Sequence, residues 1–457
     1  DSRWPQYLFM VRILTTEDLA TQAGALGITF PTSDDLSILG NRVEVGGLSA
    51  PNALAIHPME GADGTLEGAP GELTIRRYDR FAAGGAGLIW AEAIAVAPEA
   101  RANPRQLWLH AGTADAITAM VDRLFSVAAD PAGPGHRPLL VAQLTHSGRY
   151  SRPVDKPAPI IGQHCPQRDA AAKILADTPV ATDDYLARLP EAFATAAKLA
   201  FRAGFDAVDV KACHGYLLHE LLGARTREGR YGGSFENRVR LYLDTIDAIR
   251  AELPAGKMIV TRLNASDHIA APHGWGTGQA DDEIDLAEVF QLLDLLAERD
   301  IAMINITAGN PYFNPFCNRP FDMPAQGAPE SPEPPLRGVD RLLGLVRDCQ
   351  AHLPDVPMVS TGMTYLAGAM PQVAAGLLAE GACKFIGVGR LAFAYPDFAR
   401  DLLTTGELNP KELCIMCSKC TQLMRDHSQA GCVIRDAAVY APLYQTGRDK
   451  ARQGASR

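Results

Sequence analysis

Eight short apolar runs alternate with longer amphipathic stretches along most of this chain. Runs of about four to eight apolar residues are typical of strands buried on both faces, whereas apolar residues that recur every three or four positions indicate helices. This repeated order of strand and helix constrains the fold more than any other feature of the sequence. The eight candidate strands are Ala53–Ile56, Leu88–Ala95, Leu139–Leu144, Ala207–Lys211, Met258–Leu263, Ala302–Thr307, Pro357–Thr361 and Lys384–Gly387.

The stretches between these runs carry the helical period. Alternating strands and helices produce parallel strands joined by right-handed crossovers, and eight such strands close into a barrel. We therefore predict an α/β fold, a (β/α)8 TIM barrel, with a doubly wound open sheet as the alternative. The barrel is favoured because polar and glycine-rich sequence follows nearly every run, where barrels place their active sites. The clearest helical stretches are Tyr185–Ala203, Glu236–Glu252, Leu286–Glu298, Gly338–His352 and Leu366–Glu380.

The predicted barrel occupies residues 44–403 and leaves a segment at each end of the chain. An N-terminal extension, residues 1–43, contains one short helical pattern, Glu17–Gly24, and is expected to pack over the barrel. A C-terminal tail, residues 404–457, carries four of the cysteines. Within the barrel, Asn310–Pro335 is rich in Pro and Gly and too long for a simple turn, which predicts a lid or a substrate loop.

The composition excludes several classes of protein. With 47% hydrophobic and 21% charged residues, the chain is typical of a globular protein. Its net charge of −10, without a run of Lys or Arg, argues against nucleic acid as the main partner. No apolar stretch approaches the roughly eighteen residues of a membrane span, and Asp1–Met10 lacks the features of a signal peptide. We expect a cytoplasmic protein without a membrane partner, which mostly unpaired cysteines also favour.

Four of the nine cysteines lie within nineteen residues of the tail. Cys414, Cys417 and Cys420 form a C-x-x-C-x-x-C run, and Cys432 follows after eleven further residues. Thiols this close in sequence can converge on one metal centre. The run is a common iron–sulfur spacing, which favours a [4Fe-4S] cluster. Zinc is the alternative, since four thiolates bind it equally well on ligand count, and unligated thiols are the third.

Glycine-rich sequence follows the last two candidate strands. Ser360-Thr361-Gly362 ends the seventh and Gly387-Val388-Gly389-Arg390 ends the eighth. Small residues let backbone amides approach a phosphate, Arg390 adds charge, and these are the loops with which many barrels bind phosphate. Tight turns would also explain the glycines. Gln143 and Arg262, at the ends of the third and fifth runs, can bond the edge of a flavin and stabilise its negative reduced ring, so a phosphate-bearing flavin is predicted.

The fourth candidate strand leads into three polar side chains. His214 and Tyr216 are two residues apart and share a face of extended chain, whereas Lys211 reaches the same pocket only if the chain turns. Two cationic or neutral nitrogen donors and a phenol suit a carbonyl-bearing substrate that must receive a proton. A core histidine beside a tyrosine that faces a helix is the alternative interpretation.

Six motifs occur in a fixed order along the predicted barrel. They are Val45-Gly-Gly-Leu-Ser-Ala-Pro-Asn52, His57-Pro58-Met59, Gly84-Gly-Ala-Gly-Leu88, Gln143-Leu-Thr-His-Ser-Gly-Arg149, His214-Gly-Tyr-Leu-Leu218 and Tyr231-Gly-Gly-Ser-Phe-Glu-Asn-Arg238. Over about residues 43–400 they resemble the Old Yellow Enzyme family of FMN-dependent oxidoreductases. The tail resembles the branch of 2,4-dienoyl-CoA reductase and trimethylamine dehydrogenase, whose tail binds a [4Fe-4S] cluster beside the flavin.

The resemblance implies roles for individual residues. Tyr216 matches the proton donor of the family, and His214 matches the second residue that binds the carbonyl of the substrate. Lys211 stands where the first, usually His or Asn, would be, and as a point charge it is expected to favour a carboxylate or thioester-like group. The implied flavin contacts are His57, Pro58, Met59 and Ala93 along the ring and chain, Gln143 and Arg262 at the pyrimidine edge, and Gly362, Gly389 and Arg390 at the phosphate.

The implied reaction is the reduction of an activated C=C bond. FMN delivers hydride from N5 to the β-carbon, Tyr216 protonates the α-carbon, and His214 and Lys211 stabilise the carbonyl oxygen. Larger members of the branch carry a further FAD and NAD(P)H module, for which the 25 residues after Cys432 leave no room. Electrons are therefore expected from NAD(P)H directly or, preferably, from a ferredoxin, flavodoxin or flavoprotein through the cluster. A homo-oligomer is compatible with the sequence.

Two rival functions differ in class. An FMN and iron–sulfur amine dehydrogenase or demethylase would export electrons through the cluster, but its pocket needs aromatic residues around a cation, where this chain offers Lys211. A non-catalytic barrel with a zinc-stapled tail is disfavoured by the polar residues at the strand ends. Pro104–Trp108 and Asn310–Phe316 are expected to add substrate contacts.

Overall fold

The computed structural model describes residues 13–130 and 135–455, and it contains a closed barrel of eight parallel strands. Residues 1–12 of the predicted extension, which include Asp1–Met10, and residues 456–457 of the tail lie outside the described residues. The prediction of a TIM barrel is confirmed. A hairpin of β1 (Val43–Val45) and β2 (Leu48–Ala50) precedes the barrel strands β3 (Leu54–Ile56), β4 (Leu88–Ala95), β5 (Leu139–Thr145), β6 (Ala207–Val210), β7 (Met258–Ser266), β8 (Ile304–Ala308), β9 (Met358–Ser360) and β10 (Phe385–Val388).

Helices follow the strands and cover the outside of the barrel. In chain order the described α-helices are α1 (Thr16–Gly24), α2 (Glu72–Ala83), α3 (Ala114–Ala129), α4 (Pro166–Ala172), α5 (Asp183–Leu186), α6 (Leu189–Arg202), α7 (Leu217–Leu222), α8 (Phe235–Arg250), α9 (Ala287–Ala297), α10 (Pro315–Asn318), α11 (Pro335–His352), α12 (Met370–Ala379), α13 (Arg390–Ala394), α14 (Phe398–Thr405), α15 (Lys419–Arg425) and α16 (Ala437–Ala455). Short 3-10 helices are Leu36–Gly40, Pro98–Ala100, Gly148–Tyr150 and Met363–Ala369. None of the described helices combines the length and apolar character needed to cross a membrane.

The β1–β2 hairpin covers the amino-terminal end of the barrel. Val45 and Ala50 pack into one apolar cluster with Leu88, Met258 and Phe385, the first residues of β4, β7 and β10. This hairpin was not predicted from the sequence, because two strands of three residues carry too little periodicity. Since one end of the barrel is filled by apolar side chains, ligands have access at the opposite, carboxyl-terminal end.

Two helix predictions were wrong in their extent. The predicted Tyr185–Ala203 helix is divided into α5 and α6, because Pro190 in the first turn of α6 lacks an N–H and its ring excludes a preceding helical turn. The predicted Leu366–Glu380 helix begins as α-helix only at Met370, since Ala367 has a φ of 47° and interrupts it. The Asn310–Pro335 connection, predicted as a lid or a substrate loop, contains the short helix α10.

Both terminal segments pack on the barrel. The amide of Gly368 donates to the carbonyl of Ile13 at 3.0 Å, which ties the N-terminal segment to the loop after β9. Asp436 in the tail pairs with Arg76 at 2.7 Å and Arg80 at 2.6 Å, two side chains of α2. The boundaries of the three predicted segments remain predictions, but the described parts share one packed body.

Candidate active site

A buried carboxylate organises the centre of the barrel mouth. The register places Gln143 beside Asp209 on neighbouring strands. Asp209 accepts from Gln143 Nε2 at 2.6 Å, from Trp90 Nε1 at 2.8 Å and from the Arg262 amide at 2.8 Å. Burial raises the pKa of Asp209 to about 6, although these three donors act in the opposite direction. Asp209 was not predicted from the sequence, although a lone carboxylate inside a fully buried strand was an available signal.

Cationic and basic side chains converge on the same mouth. The Nε atom of Arg262 is buried and has no hydrogen-bond partner among the described residues. Burial and the charge of Arg262 hold the pKa of His57 and of His214 well below the usual histidine value, so both rings are neutral at physiological pH. Burial also lowers the pKa of Lys211. The pyrimidine edge of a flavin carries hydrogen-bond acceptors and gains negative charge on reduction. Such an edge fits these cationic and neutral basic side chains.

His57 directs both ring nitrogens at the barrel itself. Its Nε2 lies 3.1 Å from the Ser360 carbonyl and its Nδ1 lies 3.0 Å from Asn305 Nδ2. Since the amide nitrogen of Asn305 donates, the proton of the neutral ring is on Nε2. A side chain at Gly387 would approach His57 Nε2 to 2.3 Å, so glycine is required where β10 passes the ring. His57 can therefore contact a ligand only through its ring atoms.

The other predicted flavin contacts lie near His57. Pro58 and Met59 follow it and are partly exposed, and Ala93 pairs with Gln143 on the adjacent strand. A Cβ at Gly389 would lie 3.0 Å from Met59 Sδ, which shows how closely the loop after β10 approaches this segment.

The loop after β6 holds an unusual backbone conformation. His214 and Gly215 have φ angles of 65° and 73°, in the left-handed region. The Gly215 amide donates to His219 Nδ1 at 2.7 Å, and His219 Nε2 lies 2.6 Å from Asp267. A Cβ on Gly215 would be 2.1 Å from the side chain of Asn310. The turn that Lys211 needed to reach the pocket is thus present and fixed by buried groups.

Lys211 and Tyr216 meet in this pocket. The Lys211 ammonium lies 3.9 Å from the centre of the Tyr216 ring. The Tyr216 hydroxyl lies 3.1 Å from that of Tyr312, and the Tyr312 ring stacks on Tyr150 with a centroid separation of 4.0 Å. Burial raises the pKa of Tyr216, and the Glu60 carboxylate adds to this shift. The Asn310–Phe316 segment was predicted to add substrate contacts, but the tyrosine cluster formed by Tyr150, Tyr216 and Tyr312 was not predicted.

His214 is oriented by an amide. Asn318 Nδ2 donates to His214 Nε2 at 2.9 Å and to Thr307 Oγ1 at 3.1 Å. Because Nε2 accepts, the neutral ring carries its proton on Nδ1. His214 is therefore a neutral hydrogen-bond donor rather than a cation.

Two arginines lie together beside the loops after β8 and β10. Arg390 donates to the carbonyl of Pro320 at 2.5 Å, and Arg319 directly precedes that proline. The Nη1 atom of each guanidinium is buried without a partner in the described chain. Burial and the neighbouring Arg390 lower the pKa of Arg319 to about 9. Two buried guanidinium groups whose Nη1 atoms lack partners fit the dianionic phosphate of FMN. Gly362 lies in the left-handed region, with a φ of 99°, and as a small residue it would let the backbone approach the same phosphate. Arg319 was not predicted, because the sequence of a loop does not show where its side chains point.

The four tail cysteines line one cleft at the surface of the tail. Arg390 and Arg435 line the same cleft, so it adjoins the loop after β10. Burial raises the pKa of Cys414, and it raises that of Cys432 to about 11. Within the described residues, no group of three or more His, Cys, Asp or Glu side chains is arranged to hold a metal ion. The structure thus brings together Cys414, Cys417, Cys420 and Cys432, while the metal itself stays a prediction.

The closed parallel barrel defines the class of TIM-barrel proteins, and buried guanidinium atoms of Arg262 and Arg390 without a partner in the described chain lie at its carboxyl-terminal end. The sequence model of the NADH:flavin oxidoreductase / NADH oxidase family matches residues 45–308, and the chain belongs to this family. It is 30% identical over 273 residues to NADPH dehydrogenase from Bacillus licheniformis, which covers 58% of this chain and 70% of that protein. Two other curated relatives are matched over 21% and 51% of their own length, so the chain spans about half or less of each.

Solved structures share the fold at low sequence identity. A 2-naphthoyl-CoA reductase superposes with a TM-score of 0.68 and 18% identity, over 87% of this chain and 57% of the other. Histamine dehydrogenase from Rhizobium sp. 4-9 superposes with a TM-score of 0.64 and 20% identity, over 87% and 52%. At these identities the similarity concerns the fold alone.

Proposed function

We propose that this protein is an FMN-dependent oxidoreductase that reduces the activated C=C bond of an α,β-unsaturated carbonyl, carboxylate or thioester compound. The observation that carries the proposal is the buried Tyr216 phenol, held between Lys211 and Tyr312 at the barrel mouth. A phenol kept neutral by burial is a proton donor, and His214 beside it offers an N–H to a carbonyl oxygen.

The uncompensated cations support FMN as the cofactor. Gln143 and Arg262 would bond its pyrimidine edge, and Arg390 with Gly362 and Gly389 would hold its phosphate. His57, Pro58, Met59 and Ala93 would line the ring and chain. When bound, FMN supplies the hydride that this chain's own side chains cannot provide.

The protein side chains handle the proton and the charge. Tyr216 gives its hydroxyl proton to the α-carbon of the substrate, while His214 and Lys211 stabilise the carbonyl oxygen as it becomes negative. Each such donor is typically worth about 10²–10³ in rate. Because the Lys211 ammonium lies on the Tyr216 ring, we now expect a weaker preference for carboxylates than a freely placed lysine would give.

The cysteine cleft supports a second redox centre. We propose that Cys414, Cys417, Cys420 and Cys432 hold a [4Fe-4S] cluster that relays electrons, with zinc as the alternative. Electrons would come from NAD(P)H or from a separate ferredoxin, flavodoxin or flavoprotein. Iron and acid-labile sulfide in anaerobically purified protein support the cluster, whereas zinc without sulfide contradicts it.

The tyrosine cluster favours one second candidate, an FMN and iron–sulfur amine dehydrogenase or demethylase that exports electrons through the cluster. Tyr150, Tyr216 and Tyr312 provide the aromatic faces that an amine cation prefers. Lys211 already occupies the face of Tyr216, however, and a second cation there would be repelled. The ene-reductase is therefore our first proposal.

An anaerobic comparison of substrates tests the two candidates. Dithionite-reduced protein is mixed with 2-cyclohexen-1-one, cinnamate or crotonyl-CoA, and flavin reoxidation is followed. Oxidised protein is mixed with histamine or trimethylamine, and flavin reduction is followed. Reoxidation by an alkene with formation of the saturated product supports the first proposal, and bleaching by an amine alone supports the second.

Tyr216→Phe completes this test. We expect it to slow alkene reduction by about 10²–10⁴ while the flavin spectrum stays unchanged. Tyr185→Phe is the matched control, because its hydroxyl bonds Glu99 and His146 and not Tyr216. Full activity of Tyr216→Phe with all three alkenes contradicts the assignment of the proton donor.

A further inference from the structure

Tyr216 is buried, yet the reaction proposed above consumes its proton in every turnover. Only 3% of Tyr216 is exposed. Among the described residues, the hydrogen-bond partner of its hydroxyl is the hydroxyl of Tyr312, at 3.1 Å. The Lys211 ammonium lies over the ring face rather than at the hydroxyl. The return path of the proton is thus restricted to one neighbour.

Tyr312 connects this buried hydroxyl with the surface. Tyr312 is 42% exposed as a residue, so part of it lies at the surface of the described chain, while its hydroxyl contacts that of Tyr216. It stands in the Asn310–Pro335 connection, which follows β8 at the carboxyl-terminal end of the barrel. Tyr312 therefore bonds the proposed proton donor and is itself partly open to solvent.

The position of Tyr312 is held from two directions. Its backbone amide donates to Asn310 Oδ1 at 2.9 Å, and its ring stacks on Tyr150 at an interplanar angle of 21°. Asn310 Nδ2 in turn donates to the Tyr150 hydroxyl at 2.8 Å. Asn310 therefore fixes both stacked rings, which keeps the Tyr312 hydroxyl facing Tyr216 without requiring the substrate to order it.

We propose that Tyr312 is a second catalytic residue that returns the proton to Tyr216 from solvent. The proposal rests on the proposed ene-reductase function. Tyr216 transfers its O–H proton to the α-carbon and becomes a phenolate. The Tyr312 hydroxyl then gives its proton to the Tyr216 oxygen, and a solvent water molecule protonates the Tyr312 phenolate and leaves as hydroxide. One proton passes inward for each alkene reduced, and no electrons move along this path.

The surrounding charge makes a fast return necessary. Burial raises the pKa of Tyr216, and the charge of the Glu60 carboxylate adds to this shift. A phenolate at Tyr216 is therefore a high-energy species that must be reprotonated before the next substrate can react.

The relay predicts different rates for the first and later turnovers. Reduced protein with excess dithionite is mixed anaerobically with excess 2-cyclohexen-1-one, and cyclohexanone is measured by rapid quench. Tyr312→Phe keeps the stacked ring and leaves Tyr216 with its own proton. We expect the first equivalent of product at a rate within about twofold of wild type, followed by turnovers at least about tenfold slower, because a positioned proton donor typically contributes 10²–10⁴.

Two further readouts separate a relay from a positioning role. In Tyr312→Phe the slow phase shows a larger solvent deuterium isotope effect than wild type, and added imidazole buffer accelerates it. Tyr185→Phe, whose hydroxyl lies outside the tyrosine cluster, shows no separate slow phase. Equal slowing of the first and later turnovers would mean that Tyr312 only positions Tyr216, and an unchanged steady state would mean that it does neither. Either result overturns the relay while wild-type activity upholds the ene-reductase, whereas wild type that reduces no alkene overturns both.

Discussion

The ammonium nitrogen of Lys211 lies 3.9 Å from the centre of the Tyr216 ring. A cation on the face of a phenol is attracted by the ring, by about 0.5–2 kcal/mol. Its positive charge also favours the phenolate that forms when the proton leaves. This contact changes the expected role of Lys211 from a substrate ligand alone to a residue that also acts through the proton donor.

A double-mutant cycle tests this coupling. Lys211→Met keeps the length of the side chain without its charge, and we expect it to slow alkene reduction about tenfold in the wild-type background. In a Tyr216→Phe background the same change is expected to alter the rate of alkene reduction by less than about threefold, because the hydroxyl with which Lys211 is coupled is absent. The rate of flavin reoxidation by 2-cyclohexen-1-one measures the effect of Lys211→Met in both backgrounds. Equal effects in the two backgrounds would show that Lys211 acts on the substrate independently of Tyr216.

The strand ends could be predicted from the sequence, but the directions of their side chains could not. Gln143, Arg262 and Tyr216 lie at the barrel mouth because periodicity locates the strands and the barrel locates their ends. The same reasoning could not show that Lys211 rests on a tyrosine ring or that His57 bonds the barrel with both nitrogens. Those outcomes depend on rotamers and on neighbouring strands.

The connection after β8 was the least predictable part of the site. Tyr312 and Arg319 stand in a segment without periodicity, and their positions depend on α10, on Asn310 and on the fold of the loop as a whole. Asp209 was different, because a carboxylate inside a buried strand is a visible anomaly in the sequence. A site residue in an irregular loop is thus harder to predict from the sequence than a polar residue inside a buried strand.

His219 is expected to position the loop that carries His214 and Tyr216. It accepts from the Gly215 amide and contacts Asp267 with its other nitrogen. His219→Leu leaves a buried amide and a buried carboxylate without this partner, so the loop should loosen and turnover should fall by about 10–100-fold, the usual cost of a misplaced group. His219→Gln retains an acceptor and a donor and should lose much less.

Three measurements on the His219 variants separate positioning from unfolding. Both variants are compared with wild type for thermal unfolding, flavin content and turnover well below the unfolding midpoint. A Leu variant that keeps its flavin and turns over at the wild-type rate would show that the loop does not depend on His219.

Arg319 is expected to contribute to affinity for the phosphate of FMN. Its Nη1 atom is buried and unpartnered beside Arg390, whereas the buried Arg168 pairs with Asp267. Hydrogen bonds to a charged group are worth about 1.5–3 kcal/mol, so Arg319→Met should weaken FMN binding about 10–100-fold. Riboflavin lacks the phosphate and should bind both forms equally. Quenching of flavin fluorescence during titration of flavin-free protein gives both dissociation constants.

Arg337→Met is the control for Arg319, because Arg337 is exposed on α11 and should change neither constant. Weaker binding of riboflavin as well would indicate a general disturbance of the pocket. Unchanged binding of FMN would assign Arg319 to the cysteine cleft or to structure.

His146 is expected to make folding sensitive to acid. It is buried, with Nε2 2.7 Å from the Tyr185 hydroxyl and Nδ1 accepting from the Gly148 amide at 3.1 Å. Burial lowers the pKa of His146 to about 3, below the value of about 6.5 in an unfolded chain. The unfolded state therefore binds a proton more readily than the folded state. The contribution of His146 to the free energy of unfolding is complete above about pH 6.5 and declines as the pH falls toward 3, by about 1.4 kcal/mol per pH unit.

Urea unfolding at pH 7 and pH 5 tests this contribution. The free energy of unfolding that is lost between the two pH values should be about 2 kcal/mol smaller in His146→Gln than in wild type. Parallel losses in the two proteins would show that His146 is protonated in the folded state, or that another group controls the acid transition.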